Sequence, residues 1–419
     1  MNRNAVNSSD AVKKLVRITT VPVSLDKLLG NQLHFMNEHY EVTAVSSDRD
    51  NLSKIAEKYG IGHHHIEMTR KITPFKDLKS FWQVYKFLRA HRPEIVHTHT
   101  PKAGLIGMAA AFFAGVPVRM HTVAGLPLLQ AKGLKKQVLK IAERTTYSFA
   151  NGVYPNSFNM EKIIGDYGFC SAGKLKVIGN GSSNGIDLHH FNPEHYPEAE
   201  VKKIKASLGI SEDDFTFVFV GRLVKDKGIN ELVAAFSDLS KKRKGPFKLL
   251  LVGNYEEKLD PLLPETLEEI AENPNIITTG FQEDVRPYFA VSDALAFPSY
   301  REGFPNVVLQ AAAMNLPCIV TNINGCNEII ADAVNGLLIP VKDESALGKA
   351  MERLYLDKSL YTKLQSNARS SIEGRFTQTL LWSQIREEYD RRWLLSGGSE
   401  SRTKKLSRSI LDKASSFLS

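Results

Sequence analysis

Two turns in this 419-residue chain carry residue types suited to chemistry on a phosphate and a sugar. The first is Ser299-Tyr300-Arg301-Glu302-Gly303-Phe304-Pro305-Asn306-Val307-Val308-Leu309-Gln310, set between the apolar run Ala294–Phe297 and the stretch Ala311-Ala312-Ala313-Met314. The apolar run, closed by Pro298, reads as a buried parallel strand, and the alanine-rich stretch reads as a helix. A helix beginning just after Gly303 would aim unpaired N–H groups and the positive end of its dipole into the turn, which suits a phosphate. Glu302 would repel that phosphate and is better placed to accept hydrogen bonds from sugar hydroxyls. The second turn, Gly221-Arg222-Leu223-Val224-Lys225-Asp226-Lys227-Gly228, lies between an apolar strand, Phe215–Val220, and a helix over 229–239. Arg222, by bidentate hydrogen bonds, and Lys227, as a point charge, would together neutralise a diphosphate. A solvated charge cluster is the competing reading.

The elements that must position these turns repeat in both halves of the chain. Strand-like runs alternate with helix-like ones, which argues for doubly wound parallel sheets with ligands at the carboxyl ends of the strands. Residue 22 is expected in a loop, followed by an amphipathic segment over 26–39. His97, His99 and His121 fall at strand ends in the first half, where they are either part of a site or part of a polar network holding the loops. Ser47-Asp48-Arg49-Asp50 at a helix start reads as an N-cap, and His63-His64-His65, alternating across a strand, does not read as a metal tract. The stretch 177–187, dense in Gly, Asn and Ser, has the composition of a joint between domains.

Composition narrows the classes. The length favours about two domains, and a hydrophobic content of 42% with 24% charged residues is ordinary for a globular protein. No apolar run is long enough to span a bilayer, and the polar first ten residues argue against export, so a cytoplasmic protein is expected. Three cysteines, Cys170, Cys318 and Cys326, have neither disulfide nor zinc spacing. The net charge of +8 is uneven: residues 1–180 hold 25 Lys and Arg against 13 Asp and Glu, and the remainder holds 29 against 33. The first half should therefore meet something anionic. Nucleic acid is disfavoured, because no binding motif appears and the cations are not interleaved with aromatic residues. A basic amphipathic stretch over 131–148 and a second over 404–418 could lie on an anionic bilayer; a packed helix with a solvated face and a disordered end are the respective alternatives.

The spacing from Glu302 to position 310 resembles the Glu-x7-Glu signature of the family 4 glycosyltransferases, with Gln310 in place of the second Glu, and Gly221-Arg222 to Lys227-Gly228 matches the family's other signature. The resemblance covers roughly residues 15–395 and implies the GT-B architecture: two Rossmann-like domains with parallel sheets facing a central cleft. It implies an acceptor-binding domain over 1–190, a nucleotide-sugar-binding domain over 191–377, a helix over 378–395 crossing back to the first domain, and a tail over 396–419. It further implies retention of anomeric configuration without a metal or other cofactor, attack coming from the donor's own face with the donor phosphate taking the acceptor proton. Catalytic positions would be His121, Glu302, Arg222 and Lys227. The donor would contact Gly221, Arg222, Lys227, Phe281, Glu302, Gly303, Phe304, Asn306 and Gln310, the last binding the ribose. The acceptor would contact His99 and Lys102. The usual Gly-Gly pair of the first loop is replaced by Val21-Pro22-Val23-Ser24. Thr98-His99-Thr100-Pro101-Lys102-Ala103-Gly104 and the joint look most like the capsule and O-antigen subgroup. That subgroup acts on polyprenyl-diphosphate-linked saccharides at the inner face of the cytoplasmic membrane, so the expected partners are a nucleotide sugar, a lipid-diphosphate-linked acceptor and an anionic membrane surface. A nucleotide-sugar epimerase or hydrolase of the same fold and a non-catalytic partner in polysaccharide assembly are the alternatives.

Overall fold

Most strands are short runs rich in apolar residues and buried on both faces, such as Ala294–Phe297 and Cys318–Thr321, as parallel sheets require. A computed structural model describes residues 12–71, 73–243, 245–256 and 260–397. The basic tail over 404–418 lies outside the described residues. The chain divides into two compact units, one holding the residues up to Asn156 together with Glu161–Ile178 and those from Leu381 on, the other holding Ser157–Met160 and Gly179–Leu380.

The first unit contains strands β1 (Lys14–Ile18), β2 (Glu41–Ser46), β3 (Gly62–His65), β4 (Ile95–Thr98), β5 (Val118–Val123) and β6 (Gly152–Pro155). The second contains β7 (Phe215–Val220), β8 (Phe247–Val252), β9 (Ile276–Gly280), β10 (Ala294–Phe297), β11 (Cys318–Thr321) and β12 (Gly336–Ile339). Their spatial orders are β3-β2-β1-β4-β5-β6 and β12-β11-β10-β7-β8-β9, and every pairing is parallel. Each sheet therefore reverses its winding once, between β1 and β4 in one unit and between β7 and β10 in the other. The loops leaving those strands splay apart there, opening the crevice in which α/β sheets bind ligands.

The first unit's helices include α1 (Pro22–Leu28), α2 (Gln32–Asn37), α3 (Arg49–Tyr59), α4 (Pro74–His91), α5 (Pro101–Phe113) and α6 (Gly133–Phe149). Pro22 thus opens a helix instead of lying in a loop, because the first helical position has no N–H bond for proline to lose. The expected segment over 26–39 is two helices, interrupted at Gly30, whose φ of 50° is left-handed. Asp48 caps α3 by accepting a hydrogen bond from the Asn51 amide. α4, α5 and α6 pack side by side with α5 in the middle.

The helix Gln378–Leu395 counts with the first unit from Leu381 onward. One reason is Glu388, a buried carboxylate that accepts from Tyr154 Oη at 2.6 Å and pairs with Arg391, with Arg392 at 3.0 Å and with Lys176 at 3.3 Å. Burial alone would raise its pKa, but the bonds from Arg391, Tyr154 and Arg392 prevail and hold it down to about 2. The unfolded chain's Glu titrates near the ordinary value, roughly 4.3. The stability contributed by Glu388 is thus whole above that pH and disappears as pH falls toward 2. Glu388→Gln should therefore destabilise the protein at pH 6 and by much less at pH 3, as read by urea unfolding at both pH values. A destabilisation of equal size at both would refute this account.

Candidate active site

In the second unit the site is built where the sheet reverses. The loop after β7 and the loop after β10 are fastened to one another by several contacts, of which four stand out. The Tyr300 amide donates to the Asp226 carbonyl at 2.9 Å, the Arg301 guanidinium pairs with the Asp226 carboxylate, and Lys227 Nζ pairs with Glu302 Oε1. The fourth contact is steric: Gly228, at φ 73°, lies so close to the Pro298 carbonyl that a Cβ would collide with that oxygen. Only glycine fits there.

Lys227 and Glu302 are 16% and 14% exposed, so their charges meet in a partly desolvated place where electrostatic interactions are stronger than at the surface. Arg222 stands outward on the same loop, half exposed, and pairs with Glu256 at 2.6 Å. The helix Asn306–Ala313 begins just past the Glu302 turn, and no side chain caps its first turn. Its free N–H groups and Asn306 therefore face an anion-suited end. Phe304 packs inward against Phe376 with ring centroids 5.4 Å apart, so its side chain belongs to the core. Gln310, one turn beyond Asn306, is half-buried and makes no side-chain hydrogen bond among the described residues. Phe281 is 66% exposed after β9, and its amide donates to Asn254 Oδ1 at 2.9 Å.

Sequence reasoning left Asn324 without a role. Its side-chain amide donates to the carbonyls of Glu302 at 3.0 Å and Gly303 at 2.7 Å, and its oxygen accepts from Ser157 Oγ at 2.9 Å. Asn324 thereby fixes the turn that carries Glu302. The available signal was an Asn-Gly pair shortly after a strand, a place that favours turns. Asp226 was equally unremarked, and its signal was only its place between the two lysines. Cys326 sits beside Glu302; burial first, and then that carboxylate, push its thiol well above the ordinary range, so it stays protonated and unreactive.

In the first unit the histidines form a buried cluster. Arg17, fully buried, has no carboxylate partner among the described residues and donates instead to Tyr389 Oη and Gln32 Oε1. Because Arg17 can only donate, Tyr389 Oη accepts from it and turns its own proton toward His97 Nδ1 at 2.7 Å. His97 then carries its proton on Nε2 and donates to Thr122 Oγ1 at 2.8 Å. The His97 and His99 rings lie 4.2 Å apart, and burial with the neighbouring Arg17 charge keeps both pKa values well below the ordinary one. His121 is held by Thr98 Oγ1 on Nδ1 at 2.7 Å, and its ring packs on Gly104, where a Cβ would come within 2.5 Å. Burial lowers His121 to about 4. All three rings are neutral at neutral pH and can position a polar group but not supply charge. Lys102, 12% exposed at its side chain, pairs with Asp77 at 2.6 Å and bonds Thr69 Oγ1 at 3.2 Å. That pairing ties it to α4 and the loop before it.

Residues 200–371 match the family described as Glycosyl transferases group 1, and residues 34–181 match the Glycosyl transferase 4-like domain. The chain is 31% identical over 383 residues to the capsular polysaccharide biosynthesis glycosyltransferase CapM of Staphylococcus aureus, covering 90% of this chain and 97% of that one. It belongs to glycosyltransferase family 4. This family 4 glycosyltransferase is also 27% identical to the UDP-Gal:alpha-D-GlcNAc-diphosphoundecaprenol alpha-1,3-galactosyltransferase of Escherichia coli, over 84% of this chain and 89% of that one. Its fold matches that of Anabaena HepE, solved with UDP and glucose, at a TM-score of 0.76 and 20% identity over 90% of this chain and all of the other. The two six-stranded parallel sheets are those of the GT-B fold.

The close approach at Gly228 yields a test within the second unit. Gly228→Ala should lower unfolding free energy by about 1–3 kcal/mol more than Gly209→Ala. Gly209 shares the left-handed φ, at 68°, but has nothing within 4 Å of a Cβ. Equal losses in urea unfolding would show that backbone strain alone, and not the Pro298 contact, sets the requirement.

Proposed function

We propose that this glycosyltransferase moves a hexose or N-acetylhexosamine from a uridine nucleotide donor to a polyprenyl-diphosphate-linked saccharide during assembly of a bacterial surface polysaccharide. The observation that carries the reading is the contact between Lys227 and Glu302 at the second sheet's reversal. A cation suited to the leaving diphosphate touches a carboxylate suited to the sugar's hydroxyls, as needed where the bond between the two is broken. Arg222 and the free amides of the Asn306–Ala313 helix add donors for the diphosphate, and no metal is required. Gln310 takes the ribose, accepting and donating hydrogen bonds without charge. Phe281 and Gly280 border the base, the exposed Phe281 ring offering a stacking surface. Gly303 supplies backbone, and Phe304 holds that backbone from the core. In the first unit His121 orients the reacting sugar as a neutral hydrogen-bonding group, and His99 stands next to the acceptor. The relatives' own names, a capsular polysaccharide enzyme and a galactosyltransferase of a diphosphoundecaprenol-linked sugar, favour this acceptor class.

The acceptor's lipid places the enzyme on the inner face of the cytoplasmic membrane. No helix among the described residues is long and apolar enough to cross a bilayer, so attachment is peripheral in this reading. Two exposed apolar rows favour it: Phe75, Leu78 and Trp82 on α4, and Leu134, Val138 and Ile141 on α6, with Phe75 91% and Leu134 81% exposed. Lysines 76, 79 and 86 stand among the first row, and lysines 132, 135, 136 and 140 with Arg144 among the second. Apolar wedges between cations suit an anionic bilayer.

The test is a panel of UDP- and GDP-sugars with and without a detergent-solubilised lipid-diphosphate saccharide, following both nucleotide release and glycosylated lipid. Release that depends on the acceptor is expected with a UDP-sugar. Glu302→Gln should lower kcat by about 10²-fold or more. Gln310→Glu should keep transfer and bind UDP more tightly. Wild-type turnover in Glu302→Gln, or conversion of the donor sugar without any acceptor, would overturn the proposal.

A further inference from the structure

The first unit holds a cavity of about 910 Å³ at its own reversal point, the size range of a small-molecule site. Thr20 and Thr100, from the loops after β1 and β4, close one end, their hydroxyls 2.7 Å apart. The N-terminus of α5 borders it at Pro101 and Lys102. Along one side α6 presents Lys135, Val138, Leu139, Ala142, Glu143 and Thr146, a spacing of three and four that forms one helical face. Leu105 and Ile106 of α5 stand among the facing residues. Much of the wall is therefore apolar, yet Arg70, Lys71 and Lys135 also line it, all exposed and none in an ion pair among the described residues. Lys102 is already neutralised by Asp77.

Deep in the wall is Glu143, 6% exposed and without an ion-pair partner among the described residues. Its polar neighbour is Tyr147, one turn on, whose ring lies 5.9 Å from that of His121. Burial pushes the Glu143 carboxyl up to about 7, so it can donate a hydrogen bond as a neutral acid beside an anion. The inner end of the cavity thus approaches the residue assigned above to the reacting sugar.

An occupant of this cavity must be apolar along its length and anionic at one end. We infer that this cavity is the subsite for the prenyl diphosphate part of the acceptor, the diphosphate lying among Arg70, Lys71, Lys135 and the start of α5, and the first isoprene units lying between α5 and α6. The inference rests on the acceptor class proposed above. Charge complementarity selects this occupant over the chain's own tail, because residues 398–419 carry five Lys and Arg against two Asp and Glu and would meet like charge. The exposed apolar rows of α4 and α6 stand on either side of α5, so a chain leaving the cavity along α6 would meet Val138, Leu134 and Ile141 and the lysines set among them.

The probe is farnesyl diphosphate, with inorganic diphosphate as its headgroup control. Both are measured by titration calorimetry on the full chain with UDP saturating, so that the second unit's cations do not compete. Farnesyl diphosphate should bind at least tenfold more tightly than inorganic diphosphate. Ala142→Phe, which fills the apolar gap, should weaken the prenyl compound tenfold or more and change inorganic diphosphate less than twofold. Val138→Asp, at a position 40% exposed and therefore tolerant, should do the same if Ala142→Phe fails to fold. Lys71→Ala with Lys135→Ala should weaken both probes at least fivefold. Farnesyl diphosphate binding no tighter than inorganic diphosphate, or binding untouched by filling the gap, would overturn the subsite. Transfer to a lipid-diphosphate acceptor that persists in that case would leave the proposed function standing, whereas absence of any UDP-sugar chemistry would remove that function whatever the probes do.

Discussion

A guanidinium buried with no carboxylate to meet it among the described residues is the constraint around which the first unit is arranged. Arg17 on β1 is fully enclosed, and burial lowers its pKa, but its ordinary value is so high that it stays charged. Neutral dipoles must therefore do the work of solvent: Tyr389 from the last helix, Gln32 from α2 and His97 from β4. Two of these fix something else. Tyr389 draws the last helix onto the sheet, a docking reinforced by Glu388 with Tyr154 and Lys176. His97 is forced into one tautomer, and the Arg17 charge helps keep both His97 and His99 uncharged. A buried ion commonly costs stability compared with apolar packing. Here its return is a set of histidines with defined protonation at the carboxyl end of the sheet.

The second unit solves the reverse problem. Its charges lie at the rim of the sheet, and three of the pairs that join or flank its loops are between neighbours in space that are far apart in the chain: Lys227 with Glu302, Arg301 with Asp226 and Arg222 with Glu256. Cations held by carboxylates are already positioned, which would lower the reorganisation needed to meet the diphosphate of the proposed donor. The backbone adds to this rigidity, since Gly228 against Pro298 and Asn324 on the Glu302 turn leave the two loops little freedom.

What was legible in the sequence follows the same physics. Strands buried on both faces, such as Phe217-Val218-Phe219 and Leu249-Leu250-Leu251, read plainly because burial demands unbroken apolar runs. Arg222, Lys227 and Glu302 were legible because strand-to-helix turns bounded by glycine are local patterns. The pairing of Lys227 with Glu302 was not, since it joins residues 75 apart in sequence. Pro22 was misjudged because proline signals both a break and a helix start. The pairing of Lys102 with Asp77 was likewise not legible, since Asp77 lies on another helix. The inward packing of Phe304 and the burial of Arg17 were hidden for one reason: side-chain type does not say which way a residue faces when the tertiary environment overrides its ordinary preference.

Both units wind their strands in the same order, yet their reversal points have opposite chemistry. In the second unit the crevice is bordered by paired charges and helix amides, which favour a ligand with localised negative charge and a hydrophilic body. In the first it is bordered by two threonine hydroxyls, an apolar trough and cations at its edge that have no ion-pair partner among the described residues. A transferase needs this asymmetry, because one substrate must be gripped at a diphosphate so that the bond beside it breaks, and the other must be gripped away from its reacting end. An acceptor held by its lipid and its own diphosphate leaves its terminal sugar unrestrained by charge. A neutral His99 would suit that end, since a hydroxyl about to attack needs orientation by a hydrogen-bonding group and would gain nothing from a fixed cation competing with the donor's phosphate. In the proposed function the same fold would serve both substrates, with the placement of charge deciding which one each unit takes.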